Sequence, residues 1–325
     1  MATAEQTVQQ TAGRVRKRFA GLKPLEIVAR DWRRNKYLYL MLLPVILYYF
    51  IFQYVPIYGS VIAFQDFNPA KGISGSTWIG FQNFTNFFQS FYFGRLIQNT
   101  LVISLLDLVL GFPAPIILAL LLNELRWGPF RRLVQTITYM PHFISIVVLV
   151  GMMVDFTAKD GLFNTLISQT VGGQPILFMQ KPELFPFLYV LSGVWQNIGW
   201  GSIIYLAAIT TIDPTLYEAA MVDGANRFQQ IRHITLPGIT PTIIILLILR
   251  LGSTMAVGFE KILLMYNPLT MQTADVISTY VYRKGVLEAD YGFSAAVGLF
   301  NSVINFTLLT LSNRFSRRMG DTSLW

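Results

Sequence analysis

Residues 218–237 read EAAMVDGANRFQQIRHITLP, a polar, helix-prone stretch between two apolar runs, about 184–211 and 240–263, each long enough to cross a bilayer. Ala, Glu and Met at 218–221 favour helix. Asp213-Pro214 just ahead supplies a cap followed by the residue that a first helical turn tolerates. Asp223-Gly224 is a break, because glycine takes up positive φ without steric cost and aspartate favours turns. Asn226 can cap a second helix in which Phe228, Ile231 and Ile234 form an apolar stripe, and Thr235-Leu236-Pro237 is expected to end it before the next crossing. The expected product is a helix–turn–helix at a membrane surface, small enough to enter a groove on another protein. The pattern alone is equally that of an amphipathic re-entry hairpin with no partner.

The rest of the chain supports the membrane reading. Of 325 residues, 53% are hydrophobic and only 13% charged, and the apolar ones gather into runs at about 37–64, 95–123, 133–156, 184–211, 240–263 and 291–313. About 30 Å of hydrocarbon needs about 20 helical residues, so six spans are expected in an all-α membrane protein. Pro44, Pro113, Pro115 and Pro141 inside these runs do not argue against helices, since proline is common in membrane helices. The absence of cysteine excludes a disulfide scaffold, a thiolate metal site and a cysteine nucleophile.

The net charge of +8 could suggest nucleic acid, but its distribution points to membrane orientation. Nine of the 25 lysines and arginines fall between Arg14 and Lys36, just before the first run. By the positive-inside bias this basic tail, residues 1–36, is cytoplasmic. Six crossings of the domain 37–313 then return residues 314–325, with Arg314, Arg317 and Arg318, to the same side. The connection with Arg126, Arg131 and Arg132 and the loop 212–238 also fall inside. From Pro24, the sequence PLEIVARDWRRNK reads as an interfacial helix with Leu25, Val28, Ala29 and Trp32 on one face. On the outer side, Phe84, Phe87, Phe88 and Phe91 recur at helical spacing and are read as a helix packed on the bundle.

Catalytic chemistry is largely missing. No GxxxxGK[ST], HExxH or GxSxG occurs, so the chain has no P-loop to cradle ATP phosphates. Glu218 and Asp223 are five apart and do not share a helix face, which argues against a paired-carboxylate site. Of the two histidines, His142 follows Pro141 in the third run and reads first as a hydrogen-bonded packing residue, while His233 reads as polar surface. Intramembrane charges are costly, about 2.5–3.5 kcal/mol each at a helix centre. Asp107, midway in the second run, and Arg250, midway in the fifth, are therefore expected either to pair or to line a polar translocation path, to which His142 is a further candidate. An ion-driven secondary transporter or a channel is the competing class, and it would call for discontinuous helices and embedded ion ligands.

The pattern Glu218-Ala219-Ala220, Asp223-Gly224-Ala225 and Ile234, Leu236, Pro237 resembles the EAA loop of bacterial ABC importer permeases. RNKYLYLMLLPVILYYFIFQYVPIYG, GFPAPIILALLLNEL and QTITYMPHFIS extend the resemblance to the LplB-like carbohydrate permeases, from Asn35 to the last run. Within that group the chain is similar to permease subunits of alginate oligosaccharide importers. The resemblance implies a type I importer bundle of six helices with a cytoplasmic coupling helix, in the cell inner membrane. It implies no catalytic residue, metal or cofactor. It also implies a second related permease as heterodimer partner, a pair of ABC ATPases, and an extracytoplasmic solute-binding protein that delivers oligosaccharide. Coupling to the ATPases would fall to Glu218, Ala219, Ala220, Asp223, Gly224, Ala225, Asn226, Phe228, Ile231 and Pro237, with Ile231 standing where the family has phenylalanine.

Overall fold

A computed structural model describes residues 24–125, 127–319 and 323–324. The basic tail before Pro24, Arg126 and the side chains of the expected apolar face at residues 25, 28 and 29 lie outside what is described. Helix α1, Pro24–Tyr49, carries the interfacial stretch straight into the first apolar run, with one departure from helical geometry at Asn35 (φ −117°, ψ 22°). It continues through a π-helical turn, Phe50–Tyr54, and α2, Val55–Gly59. Contacts divide the chain after Val61 into two units. In the first, every side chain from Tyr37 to Tyr58 is exposed, a surface only lipid or protein can cover in a membrane.

The second unit, from Ile62, opens with a minimal antiparallel pair, β1 Gln65–Asp66 and β2 Thr77–Trp78, with Gln65 opposite Trp78. The short helices Gly72–Gly75 and Met271–Ala274 aside, its α-helices follow in order. They begin with α3 (Gln82–Phe88), α4 (Phe93–Leu106), α5 (Pro113–Glu124), α6 (Gly128–Tyr139), α7 (Ile146–Thr157) and α8 (Leu162–Val171). After these come α9 (Phe185–Ile209), α10 (Pro214–Val222), α11 (Arg227–Gln230) and α12 (Leu236–Leu251). The chain closes with α13 (Phe259–Met265), α14 (Ile277–Tyr282) and α15 (Tyr291–Met319).

Among the described residues, four helical runs are long and apolar enough to cross a membrane: Arg34–Phe64, Phe93–Glu124, Arg227–Leu251 and Tyr291–Arg318. A bent pair, Gly128–Phe143 with Ile146–Thr170, makes a fifth if it is one span. The third apolar run is therefore not one straight helix, because the chain turns by 103° there. Pro141 sits in the 3-10 turn Met140–Phe143 at the corner, and Gln196 of α9 donates to the Ile144 carbonyl that the turn leaves free (3.1 Å). Helix α9 has ample length at 25 residues but is less apolar than the four, since Ser192, Gln196, Asn197 and several glycines interrupt it.

Three prolines in the long runs, Pro56, Pro113 and Pro237, share one solution. The N–H groups of Val55, Phe112 and Leu236 reach back five residues to Phe50, Asp107 and Ile231, closing π-helical turns at Phe50–Tyr54, Asp107–Gly111 and Ile231–Thr235. One residue later stands Pro56, Pro113 or Pro237. A proline lacks the N–H and its ring collides with the carbonyl four residues back. In each case that carbonyl belongs to the widened turn, where the register slip moves it aside. Pro237 therefore does not end the second helix of the loop, as its sequence suggested. Helix α11 runs through the π turn into α12 as one continuous helical path.

The fifth run also ends early. Helix α12 stops at Leu251, and residues 252–258 are irregular before α13 begins. Backbone groups there are met by side chains of other elements: Asn305 accepts from the Met255 N–H (2.9 Å), Ser104 donates to the Thr254 carbonyl, and Ser278 donates to the Val257 carbonyl (3.4 Å). Non-helical backbone at membrane depth persists only where protein satisfies it in this way.

Three apolar clusters hold the second unit. Ile103, Leu149, Phe185, Val190 and Ile262 make the first, and Ala119, Leu122, Tyr205, Ile209 and Ile239 pack α5, α9 and α12 together. The remaining cluster centres on Phe87, fully buried with Phe93 and Phe300 rings 5.1 and 5.4 Å away. Helix α3 thus packs on the bundle as expected, but it ends at Phe88, and Phe91 lies beyond it almost fully exposed. A buried carboxylate that the sequence reading passed over, Asp275, ties α4 to the segment before α14. Arg283 binds it twice (3.0 and 2.7 Å), Arg95 approaches to 3.5 Å, Thr279 donates to it (2.8 Å), and Asn99 holds its carbonyl (2.8 Å).

Helices α6 and α9 meet backbone to side at Gly199, where an added Cβ would stand 2.1 Å from the Thr138 carbonyl oxygen. Gly199→Ala must push the two helices apart, at a cost of about 1–3 kcal/mol. Thermal unfolding of the detergent-solubilised protein should show a clearly lowered midpoint, and an unchanged one would disprove this contact.

Candidate functional site

Two features stand out: a surface hairpin and a cavity. The hairpin begins at Asp213, whose side chain accepts from the Thr215 N–H (2.9 Å), with Pro214 at the first position of α10. That N–H holds the exposed Asp213 carboxyl below its usual range. At the other end of α10, Ala225 N–H reaches the Ala220 carbonyl (2.8 Å) and Gly224 N–H the Met221 carbonyl (3.1 Å). This is a Schellman ending, and it puts Gly224 at φ 78°, a conformation that glycine adopts freely. Asn226 and Gln229 then exchange hydrogen bonds in a full capping box (3.0 and 2.7 Å), so α11 starts where expected.

Three contacts fix this hairpin to the bundle. Tyr217 and Thr235 hydroxyls meet at 2.9 Å, Arg227 pairs with Glu124 at the end of α5 (2.5 Å), and Gly238 leaves no room for a Cβ against Ile212 (2.6 Å). What it leaves outside includes large apolar side chains, Val222 at 88% exposure, Phe228 at 70% and Met221, together with the exposed Glu218. Ala220, Ala225, Ile231 and Ile234 are half-buried, and His233 is exposed, its ring bonded to the Gln229 carbonyl (3.0 Å).

The cavity, about 970 Å³, lies between α4, the π turn Asp107–Gly111, α9, α12 and the irregular segment leading into α13. Asp107 and Arg250 both line it and form an ion pair. The pairing expected from sequence is therefore present, and the pair stands in the wall of this cavity. Arg250 is not mid-helix, however, because α12 stops one residue later. Its charge sits at a helix C-terminus, which favours a cation. Gly111 makes space for the acid, since a Cβ there would fall 2.6 Å from Asp107 Oδ1. Polar wall groups from α9 include Gln196 and Asn197, with Trp200 beside them. His142 does not line the cavity. It stands behind Trp200, stacked on it at 4.6 Å and 3°, and bonds Asn197 (3.0 Å), which is the packing role its sequence position suggested. Lys261 is also in the wall. Nothing in its sequence neighbourhood signals this, because it takes the break after Leu251 to fold α13 back against α9.

Residues 111–321 match the family of binding-protein-dependent transport system inner membrane components. The chain belongs to that family. The permease is 45% identical over 293 residues to the polygalacturonan/rhamnogalacturonan transport system permease protein YteP of Bacillus subtilis, covering 90% of this chain and 91% of that one. It is also 45% identical to Protein LplB of the same organism, over 90% and 92% of the two chains. Among solved structures it is similar to a chain of a bacterial alginate ABC transporter in complex with an alginate pentasaccharide-bound periplasmic protein. The TM-score is 0.84 at 45% identity, covering 91% of this chain and 99% of that one. The permease is thus an inner-membrane subunit of an ABC importer. Its broken helices, which the sequence did not reveal and which would also suit a secondary transporter, belong here to an ATP-driven family.

If the Asp107–Arg250 pair bridges the π turn to the end of α12, removing one partner strands the other. A double-mutant cycle of Asp107→Ala and Arg250→Ala on unfolding stability should return an interaction of about 0.5–3 kcal/mol. Additive losses would contradict the pairing.

Proposed function

We propose that this permease is one half of a heterodimeric transmembrane path that carries an acidic oligosaccharide inward. The cargo would be handed over by an extracytoplasmic solute-binding protein, and a pair of cytoplasmic ATPases would drive the step through residues 212–238. The observation that carries the reading is the hairpin α10–α11. It presents Val222, Phe228, Met221 and Glu218 outward, yet it is continuous with a membrane helix through the π turn Ile231–Thr235. Exposed apolar side chains on a capped, braced hairpin suit a partner's groove.

In this reading the chain crosses six times, with α9 and the bent α6–α7 pair joining the four strongly apolar runs. Residues 1–36 and 314–325 would lie in the cytoplasm. ATP-driven closure of the partner subunits would move α11 and α12 as one body and open the cavity alternately to the two sides. Such coupling needs contacts that differ between the two states. The acidic cargo rests on the relatives, whose names speak of polygalacturonan and alginate.

Gly224→Pro cannot hold φ 78° or donate to Met221, and Glu218→Lys reverses the charge on the exposed face. Both variants should reach the membrane in normal amount while sugar uptake falls at least tenfold and ATP hydrolysis no longer responds to loaded binding protein. Normal sugar-stimulated hydrolysis in both would sink the proposal.

A further inference from the structure

The cavity holds a cation that the ion pair does not account for. Lys261, on α13, is 94% buried by its 6% exposure, and its ammonium group lies at the cavity wall. Among the described residues its one side-chain hydrogen bond goes to the Tyr189 carbonyl (2.7 Å), and its Nζ lies 4.6 Å from the centre of the Tyr189 ring. Among the described residues no carboxylate reaches it: Asp107 is engaged by Arg250, and Glu260, also in the wall, is exposed and forms no ion pair with it. An ammonium has three donors, and removing it from water without a counterion costs several kcal/mol. Buried lysines almost always have partners. Gly193 lines the wall facing Nζ and leaves it open, as a Cβ there would stand 3.4 Å away.

We propose that Lys261 is a specificity-determining residue of the translocation path, its ammonium receiving the carboxylate of a passing uronic acid unit. The inference rests on the acidic-oligosaccharide reading above and adds the residue that recognises the charge. A carboxylate entering the cavity supplies the missing counterion and accepts the free N–H donors, in a site whose low dielectric strengthens the attraction. A neutral hexose of the same shape would gain neither. The pairing of Asp107 with Arg250 keeps the second cation occupied, so the selective charge is concentrated at one position.

The test uses the whole transporter in proteoliposomes, with its binding protein saturated by a uronic acid tetrasaccharide, and reads uptake per unit time. Lys261→Gln keeps a donor for the Tyr189 carbonyl but removes the charge, and Lys261→Arg keeps the charge. Uptake should fall at least tenfold in K261Q and stay within about threefold of wild type in K261R. A purely structural role through the hydrogen bond predicts that K261Q is tolerated. Uptake in K261Q within twofold of wild type would overturn the assignment, as would K261R falling as low as K261Q. The wild-type arm separates the two readings: a wild-type transporter that moves neutral but not acidic tetrasaccharide sinks the cargo proposal itself, and this inference with it.

Discussion

Every helix in this permease must satisfy its own backbone while carrying proline through an apolar environment, and most of the architecture follows from that constraint. Ahead of Pro56, Pro113 and Pro237 the turn widens to five-residue hydrogen bonds and the helix continues. Where the helix does break, at Met140–Ser145 and at 252–258, side chains from other helices take up the freed groups. Both solutions concentrate polar atoms at fixed depths. The π turn Asp107–Gly111 and the break after Leu251 are two walls of the cavity, so the sites of backbone irregularity and of charge coincide.

The same device recurs at the surface. The π turn Ile231–Thr235 lets Pro237 follow the hairpin without a break, so under the proposed coupling a displacement of α11 would be passed on to α12 instead of being absorbed in a loop. The Schellman ending at Gly224, the capping box at Asn226 and the Arg227–Glu124 pair stiffen the remaining degrees of freedom. A coupling element gains from this rigidity, because only a contact that does not yield can bias one conformation of the bundle over another.

Much of this was legible in the sequence. The caps at Asp213 and Asn226, the glycine turn at 224 and the Asp107–Arg250 pairing all follow from local chemistry or from the cost of intramembrane charge. Composition could not show where a helix stops inside an apolar run. Pro237 looked like a terminator and Pro141 like a tolerated kink, yet the structure treats them the other way round. The difference lies in whether a neighbouring side chain, such as Gln196, is available to accept the break. Lys261, Asp275 and Arg95 were missed for the same reason: their roles depend on long-range packing, and nothing adjacent in sequence marks them.

The central claim is that residues 212–238 are the seat of the ATP-hydrolysing partner. Its most direct test is a photo-crosslinking side chain at Val222, the most exposed apolar residue of the hairpin, in the transporter as it sits in native membranes. The account predicts a covalent adduct with the ATPase subunit, weakened or strengthened when ATP is trapped. Adducts confined to lipid, with the ATPase present and active in the same membranes, would contradict it.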